Sequence, residues 1–286
     1  MATPPASANR ELTARAGISE RKRIAPAPEP GRFSRKSQAA LSGTPTLLLT
    51  VKKAIIVGAS SGIGRELARI LAREGYALGL AARREHLLQE LARELPVPVY
   101  IRVMDICNVD DARGGMTGLI SKMEGADLVI ISAGTGFLNP ELDVGMELET
   151  VATNVQGFVA VANVAFRHFQ TQGSGHLVGI SSIAALRGSA EAPAYNASKA
   201  FVSNYLQGLA VKAKKSGLPI TITDIQPGLV DTAMAKGDRL FWVMPVAKAA
   251  AQIYQAIRRR KPHAYATRRW GLLARLLKLK ACFSRG

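Results

Sequence analysis

A chain of 286 residues, 48% of them hydrophobic, is long enough to bury one large α/β core or two small ones. Its formal net charge of +17 is not a nucleic-acid signature. Residues 1–50 carry eight basic and three acidic side chains (net +5), residues 258–286 carry ten basic and no acidic ones (net +10), and 51–257 is left at only +2, with no nucleic-acid-binding motif beside the basic ends. Two cysteines, Cys107 and Cys282, give no disulfide framework, and four scattered histidines (His86, His168, His176, His263) show no metal-ligand spacing. No apolar run approaches the ~20 residues of a membrane span, and Leu47-Leu48-Leu49 is too short for a secretory signal. The expectation from composition is a soluble cytoplasmic protein without a bound metal.

Residues 1–50, rich in Pro, Ala, Ser and Arg, show no sustained period and read as a disordered basic extension. The arginines suit a mitochondrial transit peptide, whereas Glu11, Glu20 and Glu29 count against one. The third reading is that the natural protein begins near Val51 and the extension is dispensable or not made, which the intact mass of the native protein decides.

From Lys52 the chain alternates between short apolar runs and amphipathic stretches. Strands are predicted at 53–57, 77–81, 98–103, 127–132, 176–181, 220–225 and 263–266. Helices are predicted at 62–74, 85–94, 109–123, 147–171, 195–216 and 246–258. Runs such as Leu128-Val129-Ile130-Ile131 are apolar throughout, as strands covered on both faces must be. The rhythm predicts an α/β fold: a Rossmann-like, doubly wound parallel sheet of about seven strands with helices on both faces, forming one domain over 51–267 with ligands at the carboxyl ends of the strands.

Gly58-Ala59-Ser60-Ser61-Gly62-Ile63-Gly64 joins the first strand to the first helix. A strand-to-helix turn of this kind needs a tight bend, close approach of backbone N–H groups to a pyrophosphate, and close helix packing. The second strand ends in Ala81-Ala82-Arg83-Arg84 with no acid before Glu85. An acid there would bind the ribose 2′-hydroxyl of NAD, whereas arginine suits the 2′-phosphate of NADP. NADP(H) is therefore expected over NAD(H). Further on, Tyr195 and Lys199 stand four residues apart on one helical face, 13 residues after Ser182. A phenol, an ammonium and a hydroxyl together are equipment for moving a proton on or off an alcohol oxygen.

These motifs, in this order, resemble the short-chain dehydrogenase/reductase family over Lys52 to about Thr232. The resemblance implies hydride transfer between NADP(H) and a carbonyl or alcohol. It implies that Tyr195 exchanges the proton, that Lys199 lowers the phenol's pKa and holds the nicotinamide ribose, that Ser182 binds the substrate oxygen, and that Asn154 holds a water linking Lys199 to solvent. Cofactor contacts are expected from Gly58, Ser60, Ser61, Gly62, Ile63, Gly64, Arg83 and Arg84. Further contacts are expected from Asp105 and Ile106 after the third strand, from Ala133 and Gly134 after the fourth, and from Pro227, Gly228, Val230 and Thr232 after the sixth. Val57 replaces the family's usual Thr, so a turn-stabilising hydroxyl is missing, and Ile131-Ser132 replaces its usual Asn-Asn, a departure that touches the local hydrogen bonding and not the fold. A homo-oligomer through the helices at 147–171 and 195–216 is also implied.

Residues 233–245, with Phe241, Trp242 and Met244, read either as the lid of an apolar, lipid-like substrate or as packing on the core. Residues 268–286 form a basic tail in which Leu272, Leu273, Leu276, Leu277 and Phe283 share one helical side with Arg275 and Lys278 opposite. That pattern suits an anionic membrane surface; the other reading is a solvated or self-associating tail. The alternative function is an NADP-binding regulatory or scaffold protein on the same fold, membrane-associated through this tail.

Overall fold

In the computed structural model, which describes residues 51–232 and 243–266, the apolar runs become seven strands. They are β1 (Lys53–Val57), β2 (Ala77–Ala82), β3 (Val99–Val103), β4 (Leu128–Ile131), β5 (Gly175–Ile180), β6 (Ile220–Pro227) and β7 (His263–Ala266). All pair in parallel, in the order β3-β2-β1-β4-β5-β6-β7. Parallel neighbours require crossovers, and these are supplied by α1 (Gly62–Arg73), α2 (Glu85–Glu94), α3 (Val109–Lys122), α4 (Val144–Val151), α5 (Phe158–Gln172), α6 (Pro193–Ser216) and α7 (Val246–Arg258).

Both faces of the sheet are covered, and β1 shows how. Ala54 and Ile56 pack with Leu67 of α1, Leu91 of α2 and Ile253 of α7. Ile55 and Val57, pointing the other way, pack with Met116 of α3, Phe166 of α5 and Leu206 of α6. Each large side chain so buried contributes roughly 1.5–3 kcal/mol. The strand order reverses between β1 and β4, so a crevice opens there at the carboxyl ends. The fold expected from the sequence is the fold observed.

The boundaries differ where packing overrides local pattern. The helix expected at 147–171 starts earlier, at Val144, with the Asp143 carboxylate accepting from Met146 N at 2.9 Å. It is interrupted by a π-helical turn over Ala152–Gly157 that contains Asn154; such turns favour functional sites. The helix expected from 195 begins at Pro193, and Ala194 N donates to the Glu147 carboxylate at 3.1 Å. Exposed Arg258, Arg259, Arg260 and Lys261 precede β7, at the end of the sheet opposite the crevice.

The expected extension at 1–50, Phe241 and Trp242 of the expected lid, and the tail at 268–286 lie outside the described residues. Among those described, no helix is long and apolar enough to cross a membrane, and no cluster of three or more His, Cys, Asp or Glu could hold a metal.

Candidate active site

The glycine turn is built by exclusion of side chains. Gly58 has φ +89°, and a Cβ there would lie 2.4 Å from Ala133 N, because the turn after β1 presses on the loop after β4. Val57 O accepts from Ser132 N at 2.8 Å and from Ala133 N at 2.9 Å, and Gly58 N donates to Ala81 O at 2.8 Å. These backbone bonds hold the turn in place of the absent threonine hydroxyl. A Cβ on Gly64 would sit 2.2 Å from Gly58 O, so this glycine serves packing beneath the turn. Gly62 faces the cleft, where a Cβ would meet only Thr232 Cγ2 at 3.4 Å.

Arg84, at the start of α2, folds back onto this turn. Its Nη2 donates to Ser60 Oγ at 2.8 Å and to Ser61 Oγ at 2.7 Å. Arg83 lines the same cleft, and both arginines are exposed. At a helix start a cation is electrostatically misplaced, so the hydroxyls hold Arg84 where the helix dipole does not.

At the other end of the cleft, β5 delivers Ser182 and α6 delivers Tyr195 and Lys199. The Ser182 oxygen caps a single 3₁₀ turn (Ile183–Leu186) by accepting from Ala184 N at 3.1 Å. Asn196 Nδ2 ties that turn to α6 by donating to Ala184 O at 3.1 Å and to Arg187 O at 2.8 Å. Lys199 is buried, donates to Ile180 O at 3.1 Å, and has its ammonium 5.7 Å from the centre of the Tyr195 ring.

Burial governs charge in this corner. It raises the Tyr195 phenol above its ordinary value, and donation from Ser182 pulls back only part of that rise. Burial also pushes the Lys199 ammonium down to about 8, against the attraction of Asp224. In both groups the largest influence is desolvation, because packing around them strips water from the charged form.

Asn154, in the π turn, is buried behind the cleft and does not line it. Its Oδ1 accepts from Thr135 N at 2.9 Å, while Nδ2 donates to Thr135 O at 2.7 Å and to Ser198 Oγ at 2.9 Å. Ser198 in turn donates to Tyr195 O at 2.8 Å. Both amide hydrogens are thus engaged within the protein, and Asn154 joins the loop after β4 to α6. These bonds hold the loop where the Asn-Asn pair is missing. Gly134 is tightly placed: a Cβ would be 3.1 Å from Asn154 Oδ1 and 3.2 Å from Lys199 Nζ, so either would have to shift by a few tenths of an ångström.

The cleft encloses about 750 Å³, within the ~300–1,000 Å³ typical of ligand pockets. It brings together Gly58, Ser60, Ser61, Gly62, Ile63, Arg83, Arg84, Asp105, Ile106, Ala133, Gly134, Ser182, Tyr195, Lys199, Pro227, Gly228, Val230 and Thr232. Of the positions expected from the sequence, only Gly64 and Asn154 stand behind its wall. Sequence reasoning missed Thr135, Gly136, Phe137, Cys107 and Thr153, which also line it. Gly136 carried a signal, being a small residue two places after Gly134; a Cβ there would strike the Tyr195 ring at 2.4 Å. Met244 of the expected lid is described and pairs with Val230, its oxygen accepting from Asp231 N at 2.9 Å.

Fold and cleft define a doubly wound α/β protein with its ligand crevice at the reversal of strand order. The short chain dehydrogenase model matches residues 52–240. An uncharacterized oxidoreductase of Myxococcus xanthus (strain DK1622) is 35% identical over 191 residues, covering 65% of this chain and 75% of its own. One from Staphylococcus aureus (strain N315) is 33% identical over 190 residues, covering 65% and 81%. Among solved structures, a variant of the actinorhodin polyketide ketoreductase with NADPH matches at TM-score 0.60 and 27% identity, over 72% of this chain and 76% of that one. A short chain dehydrogenase/reductase from Burkholderia phymatum, in complex with NAD, matches at TM-score 0.73 and 20% identity, over 82% and 96%, a likeness of fold alone. The chain belongs to the short-chain dehydrogenase family.

Proposed function

We propose that this protein is an NADP(H)-dependent oxidoreductase acting on an apolar carbonyl or alcohol. The observation that carries the reading is the convergence of Ser182, Tyr195 and Lys199 at one end of a cleft whose other end is the glycine turn. The residues fit the cofactor: Gly62 leaves the turn bare where it faces the cleft, and a helix N-terminus behind it suits a pyrophosphate. Arg83, Arg84 and Ser60 would take the 2′-phosphate, Asp105 and Ile106 the adenine end, and Lys199 the nicotinamide ribose. Val230 and Thr232 would border the nicotinamide. Bound there, the cofactor supplies the hydride.

Tyr195 gives its proton to the substrate oxygen, and the raised phenol stays protonated through neutral pH, the form that favours reduction. Ser182 steadies the charge developing on that oxygen. Phe137 lines the cleft, and the exposed Leu138 and Leu142 follow it, which supports an apolar substrate.

The cofactor choice rests on Arg84. Titration followed by nicotinamide fluorescence is expected to give tighter binding of NADPH than of NADH. Arg84→Ala should weaken NADPH about 10- to 100-fold, as loss of a charge-assisted contact worth ~1.5–3 kcal/mol requires, and leave NADH unchanged. Equal affinity for both nucleotides in the unaltered protein would sink the NADP assignment, and binding of neither would sink the enzyme reading.

A homo-oligomer is part of the same proposal. Val144, Leu148 and Val151 expose an apolar stripe on α4, which packs against α6, where Phe201 is also exposed. Light scattering is expected to return a multiple of the 30.5 kDa chain mass, and a monomer at micromolar concentration rules the oligomer out.

A further inference from the structure

Asp224 is a carboxylate inside the sheet. It lies mid-strand in β6, only 7% exposed, in the run Ile222-Thr223-Asp224-Ile225-Gln226. A carboxylate so placed is unfavourable unless its oxygens are satisfied, and here they are. Oδ1 accepts from Ser181 Oγ at the end of β5. Oδ2 accepts from Ser203 Oγ at 2.5 Å and from Gln226 Nε2 at 3.1 Å, and Gln226 Nε2 also donates to Ser203 Oγ at 3.0 Å.

The three partners come from three places that build the cleft. Ser181 directly precedes Ser182. Gln226 directly precedes Pro227-Gly228. Ser203 stands four residues beyond Lys199 and eight beyond Tyr195, on the same stripe of α6. One carboxylate therefore clamps the two strand ends and the catalytic helix.

We propose that Asp224 is a positioning residue for the reaction assigned above: its buried carboxylate locks α6 to the ends of β5 and β6 and fixes a negative charge against Ser181, the neighbour of the Ile180 whose carbonyl Lys199 holds, and against Ser203, one helical turn beyond Lys199. The inference rests on the oxidoreductase reading for its catalytic meaning. Asp105 and Asp231 also line the cleft, but the carboxylate whose attraction acts on the Lys199 ammonium is that of Asp224. β5 offers Lys199 only the Ile180 carbonyl and the hydroxyls of Ser181 and Ser182. The π turn offers the neutral Asn154 amide. The 3₁₀ turn Ile183–Leu186 carries no charge, and α4 contributes Glu147, whose carboxylate is engaged with Asn139 Nδ2 and Ala194 N. On α6 itself the titratable neighbour is the Tyr195 phenol. Asp224 is the group whose attraction offsets part of the burial penalty on the Lys199 ammonium.

The test reads the Lys199 amine directly, by nitrogen NMR of protein labelled with ¹⁵N-lysine, the signal assigned with Lys199→Arg. The unaltered protein should titrate at about 8. Asp224→Asn keeps the shape and removes the charge, and Gln226 Oε1, which has no hydrogen-bond partner among the described residues, can accept from the new amide. In this variant the midpoint should fall by a unit or more, a tenfold change in the ammonium-to-amine ratio at fixed pH. NADPH affinity near pH 8 should fall several-fold. Asp224→Glu, which keeps the charge, should restore the midpoint to within half a unit. An unchanged midpoint in Asp224→Asn overturns the proposal, even if its melting temperature drops. Should Asp224→Asn not fold, the unaltered protein provides the second measurement. The ¹³C signal of the Asp224 carboxyl should shift as the neighbouring Lys199 ammonium loses its charge, and a flat signal there overturns the proposal. Failure of the oxidoreductase reading is distinguishable, because it appears as absent nucleotide binding in the unaltered protein while the amine titration still stands.

Discussion

Tyr195→Phe is expected to lose hydride transfer by about 10²- to 10⁴-fold, the range for removing a positioned acid, with NADPH affinity within a few-fold of the unaltered protein. The substitution removes one oxygen and keeps the ring, and the ring is what the structure packs. It lies against Gly136, where even a Cβ would clash at 2.4 Å, and beneath Lys199 at 5.7 Å. Stopped-flow oxidation of NADPH with a ketone substrate checks the first half, and nicotinamide fluorescence the second. Turnover within tenfold of the unaltered enzyme would remove Tyr195 from the chemistry. The pH dependence follows from the same corner. Lys199 loses its charge as pH rises through about 8, so kcat/KM for the free enzyme is expected to be level below that value and to decline above it. The Tyr195 proton, held above its ordinary value by burial, adds no loss in that range.

The second large effect is structural. Gly58→Ala combines two costs: a Cβ 2.4 Å from Ala133 N, and a φ of +89°. Overcrowding of a packed site costs about 1–3 kcal/mol, and a left-handed non-glycine residue in a constrained turn about 1–3 kcal/mol more. At roughly 2–4 °C per kcal/mol for a domain of this size, the melting temperature should drop by about 5–20 °C. NADPH binding should be lost, because the displaced backbone is the surface proposed to meet the phosphates. Gly75→Ala is the matched control. Its φ is +79°, but no atom stands within 4 Å of the place its Cβ would occupy, so it bears the conformational cost alone and should retain NADPH binding. Equal losses in the two variants would mean that the contact between the turn and the loop after β4 is unimportant.

Much of this site could be read before folding. Leu128-Val129-Ile130-Ile131 declares a strand covered on both faces, and Tyr195 and Lys199 declare a shared helical face, because those patterns depend on the repeat of the backbone and not on any partner. The glycines at 58, 62 and 64 announce a turn for the same local reason. Other features carried no such mark. Asn154 is one residue in a helical stretch, and nothing near it tells that the helix widens into a π turn there or that its amide will meet Thr135 and Ser198. Arg84 reads as a phosphate ligand, but its hold on Ser60 and Ser61 joins residues 24 and 23 positions apart.

The sequence by itself therefore determined the order of elements, the sheet's parallel character, the position of the turn and the residue types at the chemical end. Each follows from periodicity or from the chemistry of a side chain. Tertiary structure decided the rest. It turned Asp224 from a polar interruption of an apolar strand into the clamp between Ser181 and Ser203, 43 and 21 residues away. It also created the burial that holds the Tyr195 phenol above its ordinary value. A pKa is set by how much water remains around a group and which charges stand near it, and both quantities come into existence only when distant segments pack.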